Sequence, residues 1–122
     1  MVRILVVDDF EPWRRFVQSV FSGSPEFEIV GESADGHEAV RMSSELQPDV
    51  VLLDIGLPNL NGFDAAREIQ RVSPGSKIVF VTLERSEAMI REAQEIGAKG
   101  FVSKLDVEDG LMNAVLRAFG GK

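Results

Sequence analysis

Apolar residues along this 122-residue chain follow two alternating rhythms. Short consecutive runs such as Ile4-Leu5-Val6-Val7, Val50-Val51-Leu52-Leu53 and Ile78-Val79-Phe80-Val81 are separated by longer segments in which apolar residues recur every third or fourth position. The runs predict strands over 3–8, 27–32, 49–54, 77–82 and 99–103, each followed by a helix. Consecutive apolar positions, in place of strict alternation, are expected when helices cover both faces of a parallel sheet. The first helix has Pro12 near its first turn and a stripe at Trp13, Phe16, Val17, Val20 and Phe21, and the last repeats that spacing at Leu111, Ala114, Val115, Ala118 and Phe119. The middle helices carry weaker stripes: Ala39, Val40 and Leu46; Phe63, Ala66 and Ile69; and Ala88, Met89, Ile90, Ala93 and Ile96. Ser22-Gly23-Ser24-Pro25, Gln47-Pro48, Ser73-Pro74-Gly75 and Gly97 supply the stops. Strictly alternating strands and helices predict an α/β fold, and the length suits one domain with one sizeable core.

Composition narrows the chemistry. With 13 basic against 20 acidic residues the net charge is −7, so a phosphate backbone or an anionic membrane would be repelled and direct nucleic-acid binding is not expected of this domain. The absence of cysteine excludes disulfides, thiolate nucleophiles and Cys-ligated zinc, and the single histidine, His37, cannot build a histidine metal site. His37 is expected on the exposed face of the second helix. No apolar stretch reaches membrane-spanning length, and Met1-Val2-Arg3 leads straight into a strand, which predicts a cytoplasmic protein without a signal peptide.

Three carboxylates, Asp8, Asp9 and Asp54, stand where predicted strands stop, and Thr82 and Lys104 occupy the same place after two later ones. In a parallel sheet the carboxyl ends of all strands lie on one edge, so these five side chains would meet in one crevice. Each has a plainer reading alone: Asp8-Asp9 as a helix cap, Asp54 as a turn residue, Thr82 as the cap of the fourth helix, Lys104 as a solvated surface cation. Together they carry a cost, since two unit charges about 5 Å apart at an effective dielectric near 20 repel by roughly 3 kcal/mol. A hard divalent cation removes that conflict. Magnesium takes oxygen ligands, is commonly held by one or two carboxylates, and needs neither histidine nor cysteine. One carboxylate is then free to act as a nucleophile toward phosphorus. Asp54, alone on a central strand, is the better candidate; Lys104 can neutralise phosphoryl oxygens and Thr82 can donate a hydroxyl hydrogen bond.

Over nearly its whole length the chain resembles the receiver domains of two-component response regulators. The resemblance rests on Val6-Val7-Asp8-Asp9, on Leu52-Leu53-Asp54-Ile55-Gly56-Leu57-Pro58-Asn59-Leu60-Asn61-Gly62, on Phe80-Val81-Thr82, and on Gly97 through Lys104, in that order and spacing. It implies a flavodoxin-like (βα)5 sandwich with a five-stranded parallel sheet of order 2-1-3-4-5. It further implies that Asp54 accepts phosphate from a histidine kinase or phosphotransfer protein, that Asp8, Asp9, Asp54 and the Gly56 carbonyl hold Mg2+, and that Thr82 and Phe101 form a switch controlling an output domain or partner, with a homodimer as one form. Read without the resemblance, Phe101 is plain core.

The chain departs from that family at three points. Leu105 follows Lys104 where many receivers have proline, so the cis peptide often found there is not expected. Gly56 offers no side chain to shield Asp54, and Glu84 lies two residues after Thr82. Leu83 replaces a smaller residue, which predicts slower reaction with small phosphodonors. Trp13 reads as the first residue of a packing stripe. Residues 1–119 are expected to form the receiver, with 120–122 beginning a linker or tail; a truncated transcription factor and a stand-alone receiver both fit. The rival class is a magnesium-dependent aspartate-nucleophile phosphatase or phosphotransferase, although one such type needs its second aspartate two residues after the nucleophile and usually a cap segment. A receiver-like module that no longer turns over phosphate is the third reading.

Overall fold

The structure, a computed structural model, describes residues 1–84, 86–105 and 108–120. Five β/α pairs follow one another: β1 (Val2–Val7), α1 (Glu11–Phe21), β2 (Phe27–Ser33), α2 (Gly36–Leu46), β3 (Val50–Asp54), α3 (Gly62–Val72), β4 (Lys77–Thr82), α4 (Glu87–Ile96), β5 (Gly100–Ser103) and α5 (Glu108–Gly120). The strands form one parallel sheet in the order β2-β1-β3-β4-β5, the flavodoxin-like arrangement expected of the pattern. Residues 121 and 122 of the expected tail lie outside the described residues.

Alternation along each central strand splits the interior into two layers. Ile4, Val6, Val50, Leu52, Val79 and Val81 point toward α1 and α5, where Trp13, Val17, Phe21, Leu111 and Val115 meet them. Leu5, Val7, Val51, Leu53, Ile78 and Phe80 point toward α2, α3 and α4, where Ala39, Ala65, Ala66, Ile69 and Ala93 pack. Burial on both faces explains the unbroken apolar runs; each fully buried aliphatic side chain contributes about 1.5–3 kcal/mol. Edge strand β2 is only partly buried, matching its mixed composition.

Side chains set most helix starts. Asp35 accepts from Glu38 N, Asn61 from Asp64 N and Ser86 from Met89 N at α2, α3 and α4. α1 differs. Phe10 holds its N-cap position without a side-chain hydrogen bond, and Pro12 sits in the first turn, where a missing N–H costs nothing. The reading of Asp8-Asp9 as the cap of α1 is therefore overturned. So is Thr82 as the cap of α4, which belongs to Ser86, and Asp54 is the last residue of β3 and not a turn residue. Phe119, placed by spacing in the buried stripe of α5, is 46% exposed, although its neighbour Ala118 is buried.

Candidate functional site

The carboxyl ends of β1, β3, β4 and β5 open into one crevice of about 720 Å3, whose walls include Asp8, Asp9, Asp54, Thr82 and Lys104. All five residues singled out in the sequence meet there. A carboxylate oxygen from each of Asp8, Asp9 and Asp54 lies within 4.8 Å of the others. Asp8 is buried, Asp9 exposed, and Asp54 only 9% exposed.

Backbone contacts fix these groups. Asp8 N donates to Ser33 O, continuing the β1–β2 ladder one residue past the strand, and Asp8 Oδ1 accepts from Phe10 N at 2.9 Å. The Asp8 carbonyl accepts from Arg14 Nη1 at 2.7 Å, while Arg14 Nε donates to Glu32 at 2.9 Å, so α1, β2 and the acidic turn are tied together. Beneath Asp54, Gly62 N donates to Ile55 O at 2.8 Å, bringing the start of α3 so close that a Cβ at residue 62 would overlap the Asp54 carbonyl. Only glycine permits that approach. Thr82 Oγ1 accepts from Glu84 N at 3.2 Å, and Lys104 N donates to Thr82 O, pinning the end of β5 to that of β4.

Charge is balanced unevenly. Lys104 Nζ stands 2.6 Å from Asp8 Oδ2 and 3.9 Å from Asp54 Oδ1. Asp8 Oδ2 is buried and accepts no hydrogen bond of good geometry, leaving this ammonium as its counter-charge. Burial, then the Asp8 charge, push the Asp54 carboxyl up to about 6; the Lys104 ammonium and a hydrogen bond donated by the Gly56 backbone N–H act against the rise. Among the described residues, the Lys104 ammonium stands close to Asp8 and Asp54, while Asp9 gains no such partner.

Such a donor set fits a hard cation. The oxygens are convergent, one is buried without a hydrogen bond, and no nitrogen or sulfur donor competes. Gly56, exposed beside Asp54, leaves that side of the carboxylate open.

Sequence reasoning missed one wall of the site. Trp13 belongs to the packing stripe as expected, yet it also lines the crevice, with Lys104 Nζ 5.2 Å from its ring centroid. The signal was its place five residues after Asp8, within the first turn of the helix that follows the acidic pair. His37 is exposed on α2, away from the crevice. Phe101 is half-buried on β5 and lies directly across from Phe80, on the α3–α4 side. Leu83 is 64% exposed at the crevice rim, and no cis peptide is found among the described residues.

Comparison with known proteins agrees across the chain. The family model for the response regulator receiver domain matches residues 4–116. The chain is 38% identical over 102 residues to the chemotaxis protein CheY of Thermotoga maritima, covering 84% of each. It is 32% identical over 114 residues to the transcriptional regulatory protein DegU of Brevibacillus brevis, spanning 93% of this chain but 48% of that one, about half the relative's length. The signal receiver domain of the response regulator NarL from Mycobacterium tuberculosis superposes with a TM-score of 0.93 at 29% identity, over 99% of this chain and 98% of that one.

Proposed function

The chain belongs to the response regulator receiver domain family, and from that premise we propose that Asp54 is its phosphoacceptor, loaded by a histidine kinase or a phosphotransfer protein. The observation that carries this reading is the meeting of three carboxylates, an ammonium and a hydroxyl at one sheet edge. A carboxylate oxygen of Asp54 attacks phosphorus, the new O–P bond forms as the donor's P–N or P–O bond breaks, and the leaving group departs with its electron pair. Lys104, already 3.9 Å from Asp54, offers its charge to a phosphoryl oxygen. Thr82 Oγ1 now accepts from Glu84 N, and its hydroxyl proton can be donated to a phosphoryl oxygen. Asp8, Asp9, Asp54 and the Gly56 carbonyl would hold Mg2+. The ion supplies the positive charge that offsets the gathered carboxylates and the phosphoryl oxygens.

Phosphorylation adds negative charge and acceptor oxygens, which draw Thr82 inward. Phe101 then turns into the vacated space and reshapes the face formed by α4, β5 and α5, which an output domain, a partner or a second receiver reads. None of its described helices is long and apolar enough to cross a membrane.

A free aspartate-based phosphatase is not favoured. Its acids are expected two residues apart after the first strand, whereas here the pair is adjacent and the proposed nucleophile ends β3. The test is incubation with Mg2+ and acetyl phosphate followed by intact mass. One added phosphoryl group, absent from Asp54→Asn, is expected; continuous hydrolysis of a phosphate ester without a labelled Asp54 would overturn the reading.

A further inference from the structure

Lys104 lies just beyond β5, which is four residues long and forms the sheet edge, and Leu105 after it is 79% exposed, anchored by a hydrogen bond from its backbone N to Ser103 Oγ. The Lys104 backbone is tied to β4 by its N–H bond to Thr82 O, but that bond does not fix where the long side chain lies. The side chain is nonetheless only 11% exposed. Its ammonium rests on Asp8 at 2.6 Å and faces the Trp13 ring at 5.2 Å.

These two supports differ in kind. Asp8 belongs to the acidic cluster that fits a cation, so the same carboxylate cannot serve as the dedicated anchor of Lys104 in a loaded site. Trp13 has no other claim on it. The indole is neutral, its face attracts a cation through the ring quadrupole, and that attraction strengthens where water is excluded. The ring is itself fixed: Trp13 N donates to Phe10 O at 3.0 Å in the first turn of α1, Phe16 packs against it at 5.3 Å between centroids, and the residue is 9% exposed.

We propose that Trp13 is a positioning residue for Lys104: its ring keeps the ammonium over the crevice when the carboxylates are engaged elsewhere, so that the charge is in place for the incoming phosphoryl group. The inference rests on Lys104 meeting a phosphoryl oxygen, as described above. It assigns α1 a part in the chemistry beyond packing, and it makes the ring, not the volume, the property that matters at residue 13.

The test separates the two. In the wild-type protein, the terminal methylene protons of Lys104 should show an upfield ring-current shift that survives saturation with Mg2+; loss of that shift on adding Mg2+ would overturn the proposal without any substitution. Beryllofluoride then serves as the phosphoryl probe. Trp13→Leu should weaken its binding by about 3- to 30-fold at unchanged Mg2+ affinity, with Trp13→Phe in between, a range set by the strength of a partly desolvated cation–ring contact. A purely structural role predicts a lower melting temperature in Trp13→Leu with no ranking by ring. If Trp13→Leu does not fold, the wild-type shift and Trp13→Phe decide. Beryllofluoride failing to bind wild-type protein sinks the phosphoacceptor reading; equal binding by wild type and both variants sinks only the role of Trp13.

Discussion

The two edges of the sheet carry similar polar residues and treat them in opposite ways. At the amino-terminal edge, Asp49 Oδ2 accepts from Arg3 N at 2.8 Å, Arg3 Nη1 donates to Gln47 O at 2.9 Å, Lys77 N donates to Asp49 O, and Ser76 bonds both Ser73 and the Pro48 carbonyl. Every one of these groups has a partner of suitable polarity, and the result is a knot that closes loops. At the carboxyl-terminal edge three acids converge on one another with the Lys104 ammonium close to two of them, a buried oxygen of Asp8 accepts no hydrogen bond, and Asp54 is pushed up to about 6. A fold that satisfies its polar groups at one end and leaves them in conflict at the other has a use for the conflict.

Exchanging the two aspartates for neutral residues breaks the comparison most sharply. Asp54→Asn should abolish labelling by acetyl phosphate in Mg2+, while Asp49→Asn should retain it; intact mass reads both, and loss of labelling in both variants would erase the distinction between the edges.

Stability against pH comes next. Burial and the Asp8 charge raise the Asp54 carboxyl from its ordinary 3.8 to about 6, so the native state binds more protons than the unfolded one between those values, and this group removes stability as pH climbs from about 4 through 6. The full penalty at neutral pH is at most about 3 kcal/mol. Urea unfolding of the metal-free protein at pH 5 and 7.5 should show wild type losing more stability than Asp54→Asn over that interval. Parallel changes in both would refute the assignment.

At the opposite edge the sign reverses. Asp49→Ala leaves the Arg3 N–H without its acceptor and should cost about 1–3 kcal/mol at pH 7, with phosphoryl capture intact. A more stable Asp49→Ala would show that this edge is also under charge conflict.

Smaller effects sharpen the picture. Asp9 is exposed, so Asp9→Asn should raise the melting temperature of the metal-free protein by only a few degrees and shrink the further rise given by Mg2+. No change in either condition would mean the three carboxylates do not sense one another. Leu83→Ala should speed labelling by acetyl phosphate a few-fold, since Leu83 stands at the crevice rim; an unchanged rate dismisses it as a barrier.

The layered sheet was legible because its central strands are apolar at consecutive positions, a pattern that two-sided burial requires, and the observed strand limits lie within about two residues of the expected ones. The five crevice residues were legible because parallel strands send all their carboxyl ends to one side. Phe119 shows where that reasoning stops: it continues the apolar spacing of α5 yet is 46% exposed beside buried Ala118, because spacing places a residue on a face without saying how much of it a neighbour covers. Asp8 shows another limit. Its oxygen does bond the N–H of Phe10 at the entrance to α1, yet the cap position falls two residues later, which only the backbone angles of Phe10 reveal. Trp13 was visible as an apolar stripe residue and invisible as a wall, because a one-dimensional period does not say which turn of a helix stands over a strand end.

The division of the apolar interior into two strata has a bearing on how this molecule can be altered. Val102 faces the α1–α5 stratum and Phe101 the other, so Lys104, two residues beyond Val102, leaves the sheet beside Trp13, whereas Phe80 and Phe101 sit with α3 and α4. Under the proposed function, an event at Asp54 would therefore meet Lys104 on one side of the sheet and Phe101 on the other. Because Lys104 follows Phe101 by three residues and is bonded through its backbone to Thr82, substitutions on the lysine's side and on the phenylalanine's side are expected to couple rather than add, and a double-mutant cycle between them reads how far one face feels the other.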